Sequence, residues 1–132
     1  MSTTVEWANA EKTILYFRVI HPWTWEDYYN ATDEAWHMMQ TVDHIVDFIV
    51  DLSGTRLVPS NAMSHLKRGA TRTHPHKGMG VFVGVSGFMQ VIINMMSHII
   101  PTIKANVRTC STLPEAYSII EQEQQRRVSS VS

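Results

Sequence analysis

The sequence has one cysteine, Cys110, no acidic residue from Leu52 to Pro114, and only 17% charged residues in 132. A single thiol excludes an internal disulfide framework and suits a reducing compartment. The opening residues Met1-Ser2-Thr3-Thr4-Val5-Glu6 hold no basic or apolar leader segment, so they do not read as a secretory signal. There is no internal repeat and no low-complexity tract, and hydrophobic residues make up 44%. That composition excludes a disordered chain and a collagen-like one. The length suits one domain that buries roughly two-thirds of its unfolded surface. Residues 1–126 read as that domain, and 127–132 as a flexible tail.

The longest stretch free of Lys, Arg, Asp and Glu runs from Gly78 to Ile103. Its length would suit a membrane span. Gly80, Gly84, Ser86, Gly87, Gln90, Asn94, Ser97 and His98 interrupt it, and its period changes near Gly87. It therefore reads as a strand, a turn and a helix, with no integral membrane segment. A soluble, cytoplasmic, bacterial protein is the expectation.

The net charge of −1 hides a segregation. Residues 1–51 hold nine acids and two bases, a balance of −7, while residues 52–114 hold seven bases and no acid. Such blocks mark an interaction surface, or they cancel when the fold brings them together. Near-neutral charge argues against a nucleic-acid binder, and the basic stretch lacks the interleaved aromatics that stack on bases.

Two apolar runs, 5–8 and 13–20, predict a hairpin across the polar connection Asn9-Ala10-Glu11-Lys12. Thr24 is a hydroxyl N-cap for a helix whose inner stripe is Trp25, Tyr28, Tyr29, Thr32, Trp36 and Met39. Strands are expected at 45–52, 79–85 and 103–110. Helices are expected at 60–72, with Met63 and Leu66 inward, at 87–100, and from a capping box at Thr112 and Glu115 to about Gln125. The order is ββαβαβαβα. It predicts an α/β fold, with a mostly parallel five-stranded sheet, one antiparallel edge strand and four helices.

That order resembles the STAS fold of sporulation anti-anti-sigma factors. The segments Val50-Asp51-Leu52-Ser53-Gly54 and Thr112-Leu113-Pro114-Glu115-Ala116-Tyr117 carry the resemblance, with Trp23-Thr24-Trp25-Glu26-Asp27 opening the first long helix. The closer likeness is to the SpoIIAA-like group, whose fold is shared with CRAL-TRIO lipid-binding domains. The resemblance implies a non-catalytic regulatory module acting through protein contacts. A lipid or other small apolar ligand is the alternative. It also places the phosphorylatable serine of the classical factors on Ser60. Here the surroundings are Pro59-Ser60-Asn61-Ala62, without the Asp, the second Ser and the Gly of the classical motif. An ordinary helix N-cap is the simpler role for Ser60.

Other constellations read blandly. His74-Pro75-His76 offers two ring nitrogens where zinc needs three or four ligands, so no metal is expected. Cys110 precedes a helix N-terminus, which can lower a thiol pKa, yet no base is proposed beside it. Gly84-Val85-Ser86-Gly87 reads as a tight turn rather than a phosphate loop. No catalytic residue and no cofactor is indicated. Arg56, Lys67, Arg68, Arg72 and Lys77 form a candidate contact for an anion or an acidic partner.

The helix 87–100 carries more apolar residues than one buried stripe needs. Phe88, Val91, Ile92, Met95 and Ile99 read as its core face, and Met89, Ile93, Met96 and Ile100 extend it. One face of a sheet asks for a stripe of only about 100°. Phe88, Met89, Ile92, Ile93 and Met96 are therefore candidate contacts for a second copy in a homodimer, for a protein partner, or for an apolar ligand. A pocket lined by Trp25, Tyr28, Trp36, Phe88 and Met95 would favour the ligand; a filled core with a flat apolar helix would favour protein contact.

Overall fold

The computed structural model describes residues 3–55, 59–72 and 74–131. The strands form a five-stranded sheet in the order β1 (Thr3–Trp7), β2 (Ile14–Ile20), β3 (Val46–Gly54), β4 (Lys77–Val83), β5 (Val107–Cys110), with the inner β3 and β4 buried on both faces. β1 and β2 pair antiparallel and the other neighbours pair parallel, as expected. The helices are α1 (Trp25–Met39), α2 (Ala62–Thr71), α3 (Gly87–Ile99), α4 (Pro101–Asn106) and α5 (Leu113–Val131).

Strand order that advances steadily in one direction keeps right-handed crossovers on one face of the sheet. Helices α1 to α4 accordingly share a core with Leu15, Phe17, Val46, Val50, Leu52 and Phe82. Ile14, Ile49, Met79, Val81 and Val83 point to the opposite face, where Ala116 and Ile120 of α5 cover them. Thr24 caps α1 through a reciprocal box with Asp27, as the hydroxyl and early acid predict.

Three expectations are corrected. Residues 101–106 form a fifth helix, so the last strand starts at Val107 rather than at Ile103. Pro101 sits at its first turn, where a missing N–H costs nothing, and Ile103 turns into the core. Met63 of α2 is exposed, whereas Ala62 and Leu66 are buried. The chain does not fray at 127, because α5 continues to Val131 and Arg127 is anchored to the sheet.

That anchor is Asp47, a carboxylate fully buried on β3. It accepts from Arg127 Nη1 at 2.9 Å and Nη2 at 2.7 Å, from Gln124 at 3.1 Å and from the Met79 amide at 2.7 Å. Gly78 makes the room. A Cβ there would lie 2.3 Å from Asp47 Oδ1 and 3.1 Å from the Arg127 guanidinium. Breaking one side of a buried pair leaves an uncompensated charge, which costs about 3–5 kcal/mol. Arg127→Met is therefore expected to lower unfolding stability by about 3 kcal/mol in urea denaturation. Adding Asp47→Asn should recover part of the loss. An unchanged midpoint for the single variant would refute the anchor.

Candidate functional site

A cavity of about 420 Å³ lies between α2, α3, α4 and the sheet. Its apolar wall includes Phe48, Leu66, Phe82, Ile93, Met96 and Ile103, with Tyr28 at its α1 side. A smaller recess of about 60 Å³ adjoins it through the shared Tyr28, Phe48, Gly69, Arg72 and Lys77, and reaches Leu15, Trp36 and Met39. Among the described residues, the ionisable side chains on the main wall, apart from Tyr28, are Arg72, His74 and Lys77, and no Asp or Glu lines it.

The cations are placed by the C-terminus of α2 and the turn into β4. Lys77 donates to the Arg72 carbonyl at 2.9 Å and approaches that of Gly69 at 3.5 Å. Its ammonium lies 5.8 Å from the centre of the Phe48 ring. Burial pushes the Lys77 pKa down from the usual lysine range, and Arg72 adds to the shift. Arg72 stacks 4.3 Å over Trp36 and pairs with Asp33 at 2.7 Å. His74 Nδ1 accepts from the His76 amide at 3.0 Å, which leaves the ring proton on Nε2. Burial lowers the His74 pKa, and His76 and Arg72 lower it further. His74 meets Trp36 edge-on at 4.4 Å.

The candidate basic cluster is thus divided. Arg72 and Lys77 line the cavity, while Lys67 and Arg68 stand exposed on α2, with Arg68 5.1 Å over the Tyr29 ring. Arg56 lies outside the described residues. Ser60 is exposed and is not the N-cap. Asn61 takes that place at φ 66°, and the Ser60 carbonyl accepts from the Trp25 indole at 2.8 Å. The aromatic cluster there is closed by His65, stacked on Trp25 at 4.8 Å and bonded to the Tyr29 hydroxyl at 2.8 Å.

Helix α3 is rotated from the expected setting. Met89, Ile92, Ile93 and Met96 are buried, whereas Phe88, Val91, Met95 and Ile99 are 47–71% exposed. Ser86 fixes the first turn by accepting from the Met89 amide. Both stripes are apolar, so periodicity alone had no basis for choosing between them. The pocket imagined on Trp25, Tyr28, Trp36, Phe88 and Met95 is realised only at Tyr28 and Trp36. Phe48, Phe82 and Ile103 do the lining instead. Reading 103–110 as a strand hid Ile103; Phe48 and Phe82 look like any sheet residues until a helix fails to cover them.

The remaining clusters offer less chemistry. Among the described residues no group of three or more His, Cys, Asp or Glu gathers as a metal would need. Burial and Glu115 push the Cys110 thiol up rather than down, and its Sγ contacts the Thr112 carbonyl at 3.3 Å. Gly84 takes φ +67° in the turn before α3, the tight-turn role expected of it. On the α5 face, Asp51 accepts from the Tyr16 hydroxyl and the Ser53 hydroxyl, each at 2.5 Å. Desolvation opposes ionisation of Asp51, but the bonds from Ser53 and Tyr16 outweigh it and lower its pKa. Burial, then the bond to Asp51, raises Tyr16 to about 12.

In comparisons with protein-family models, with curated proteins and with solved structures, none matches this chain. No helix among the described residues is long and apolar enough to cross a membrane.

Two outcomes follow from this geometry. Gly69 lies inside α2, and a Cβ there would meet Tyr28 at an ordinary 3.5 Å. Gly69→Ala should therefore stabilise the fold by about 0.5–1 kcal/mol in urea denaturation, as Gly-to-Ala exchange in a helix does. A loss of stability would show that the cavity wall is tighter than drawn. Second, burial also raises Tyr28 to about 12, with Tyr29 adding to it. Folded Tyr16 and Tyr28 bind their protons more tightly than unfolded tyrosine, so their contribution to stability is intact below pH 10 and fades as pH climbs towards 12. Asp51 acts in the opposite direction, contributing above the ordinary carboxyl range and fading as pH falls through its lowered value. Ultraviolet titration of the folded protein should show tyrosine ionisation well short of complete at pH 10.5 and continuing towards pH 12, with a smaller late component in Tyr16→Phe. Full ionisation of all four by that pH in folded protein would contradict both burials.

Proposed function

We propose that this chain is a non-catalytic binding module of the SpoIIAA-like STAS kind, and that its cavity takes a small, largely apolar ligand. The observation that carries the reading is the cavity itself. At about 420 Å³ it falls within the usual range for small-molecule sites and is walled by aromatic and aliphatic side chains with a few polar groups at one side. The sequential strand order with one antiparallel pair supports the STAS-like part of the reading. A carrier or a sensor is the role that such a site fits.

Native mass spectrometry of protein from its native cell tests this directly. A small molecule retained in the folded protein and released on unfolding is expected. Gly69→Leu, which puts a large side chain into the space beside Tyr28, should abolish the retained mass. Bare protein mass, together with no thermal shift from a panel of apolar small molecules, would overturn the ligand reading.

A second reading has its own observation. Phe88, Val91, Met95 and Ile99 recur at i, i+3, i+7 and i+11, an uncharged apolar stripe open to solvent. Stripes of this kind mark protein contact, and a second copy of the chain, packing stripe to stripe in a twofold dimer, meets no like charge there. Light scattering should give twice the chain mass, falling to one in Val91→Glu. A monomeric mass at high concentration would remove the homodimer.

A further inference from the structure

We infer that the ligand of this cavity is a single-headed anionic amphiphile, with a carboxylate or phosphate monoester at Lys77 and Arg72 and a compact apolar body against Phe48, Phe82 and Ile103. The inference rests on the cavity reading above and narrows it to a chemical class. Three observations carry it. First, the charge on the wall has one sign. Arg72 and Lys77 line the cavity, His74 adds a ring N–H, and among the described residues no carboxylate lines it. Second, the cations are held in place before any ligand arrives. The Lys77 ammonium is held at the end of α2 by the Arg72 carbonyl, and the Arg72 guanidinium lies 4.3 Å over the Trp36 ring and is paired with Asp33. Donors fixed in advance lose little entropy when an anion docks. Third, the Lys77 ammonium sits in partly desolvated surroundings beside the Arg72 guanidinium, which makes its charge costly. An anion between them relieves that cost, and a charge-assisted hydrogen bond is stronger there than in water.

The rest of the wall sets the body of the molecule. Phe48, Phe82, Ile93, Met96 and Ile103 offer no complement to a sugar or a peptide backbone. Thr102 and Asn106 on α4 and the Tyr28 hydroxyl add uncharged polar groups. About 420 Å³ admits one short chain or a small ring system, and the recess towards Trp36 extends it.

Calorimetric titration of the intact protein with octanoate, octyl phosphate and octanol tests the assignment. These share one apolar body and differ only in the head. Octanoate or octyl phosphate should bind about tenfold or more tightly than octanol, the discrimination expected of one or two hydrogen bonds to a charged group. The tighter of the two anions names the head group. Raising the salt concentration should erode that advantage and leave octanol unchanged. Lys77→Gln should bring both anions to the octanol level, and Lys77→Arg should keep the preference. Equal binding of octanol and the anions, insensitive to salt, would overturn the anionic head while leaving the cavity as an apolar site. No binding of all three would overturn the cavity reading with it.

Discussion

The architecture depends on one buried carboxylate. Asp47 sits at zero exposure in the middle of the sheet, between a strand it belongs to and a helix it must hold. A lone ionised carboxylate in that position would be prohibitively desolvated. Arg127, Gln124 and the Met79 amide together satisfy it. They do so only because Gly78 leaves the space above β4 empty. Helix α5 lays Ala116 and Ile120 over the sheet and covers the α5 face alone, so its last turns need a second attachment. The Asp47–Arg127 fork supplies it across 80 residues of sequence. Such pairs add less to net stability than their geometry suggests, but they penalise every register other than the native one.

With α5 pinned to one face, the other face takes all the crossovers, and the cavity is a product of their unequal lengths. α1 spans 15 residues and α3 spans 13, whereas α2 has 10 and α4 only six. Short helices do not reach across the strands they cover. The gap opens over Phe48 and Phe82, where α2 ends and α4 begins. Arg72, His74 and Lys77, which lie between the end of α2 and the start of β4, stand on its wall. The apolar floor and the cationic side therefore have one cause.

Much of this was legible in the amino-acid order. Hairpin, alternation of strands and helices, the Thr24 box and the parallel sheet follow from patterns that are local and period-bound. Arg72 and Lys77 stood out because their block contains no acid. What stayed hidden required tertiary information. Pro101 ends one helix and starts another, and the same residue signals both. Met89 and Phe88 are equally apolar neighbours, so only the packing of α3 tells which is buried. The tail from 127 looked polar and frayed, although Arg127 is the residue that fastens it. A buried Asp reads, in sequence, like any acid on a strand edge. Ser60 shows the converse: a resemblance places it at a functional position, while the local chain has made it the residue before a left-handed Asn61 cap.

The segregated charge, which the net value of −1 conceals, acquires a specific meaning in the fold. The acidic first third and the basic middle meet where Arg72 pairs with Asp33, and the acidic block reaches the C-terminal bases through Asp47 and Arg127. These contacts absorb part of the asymmetry as structure. The excess positive charge does not spread evenly over the remainder. Lys67 and Arg68 are spent on the solvated side of α2, where water screens them. Lys77 faces a partly desolvated cavity, where its charge counts for more, with Arg72 on the exposed side of the same wall. Position in the dielectric, rather than the number of bases, therefore decides which part of the basic block has consequences. The same logic separates the two candidate surfaces: the exposed stripe of α3 has no charge and can discriminate only by shape, whereas the cavity discriminates by head-group charge as well.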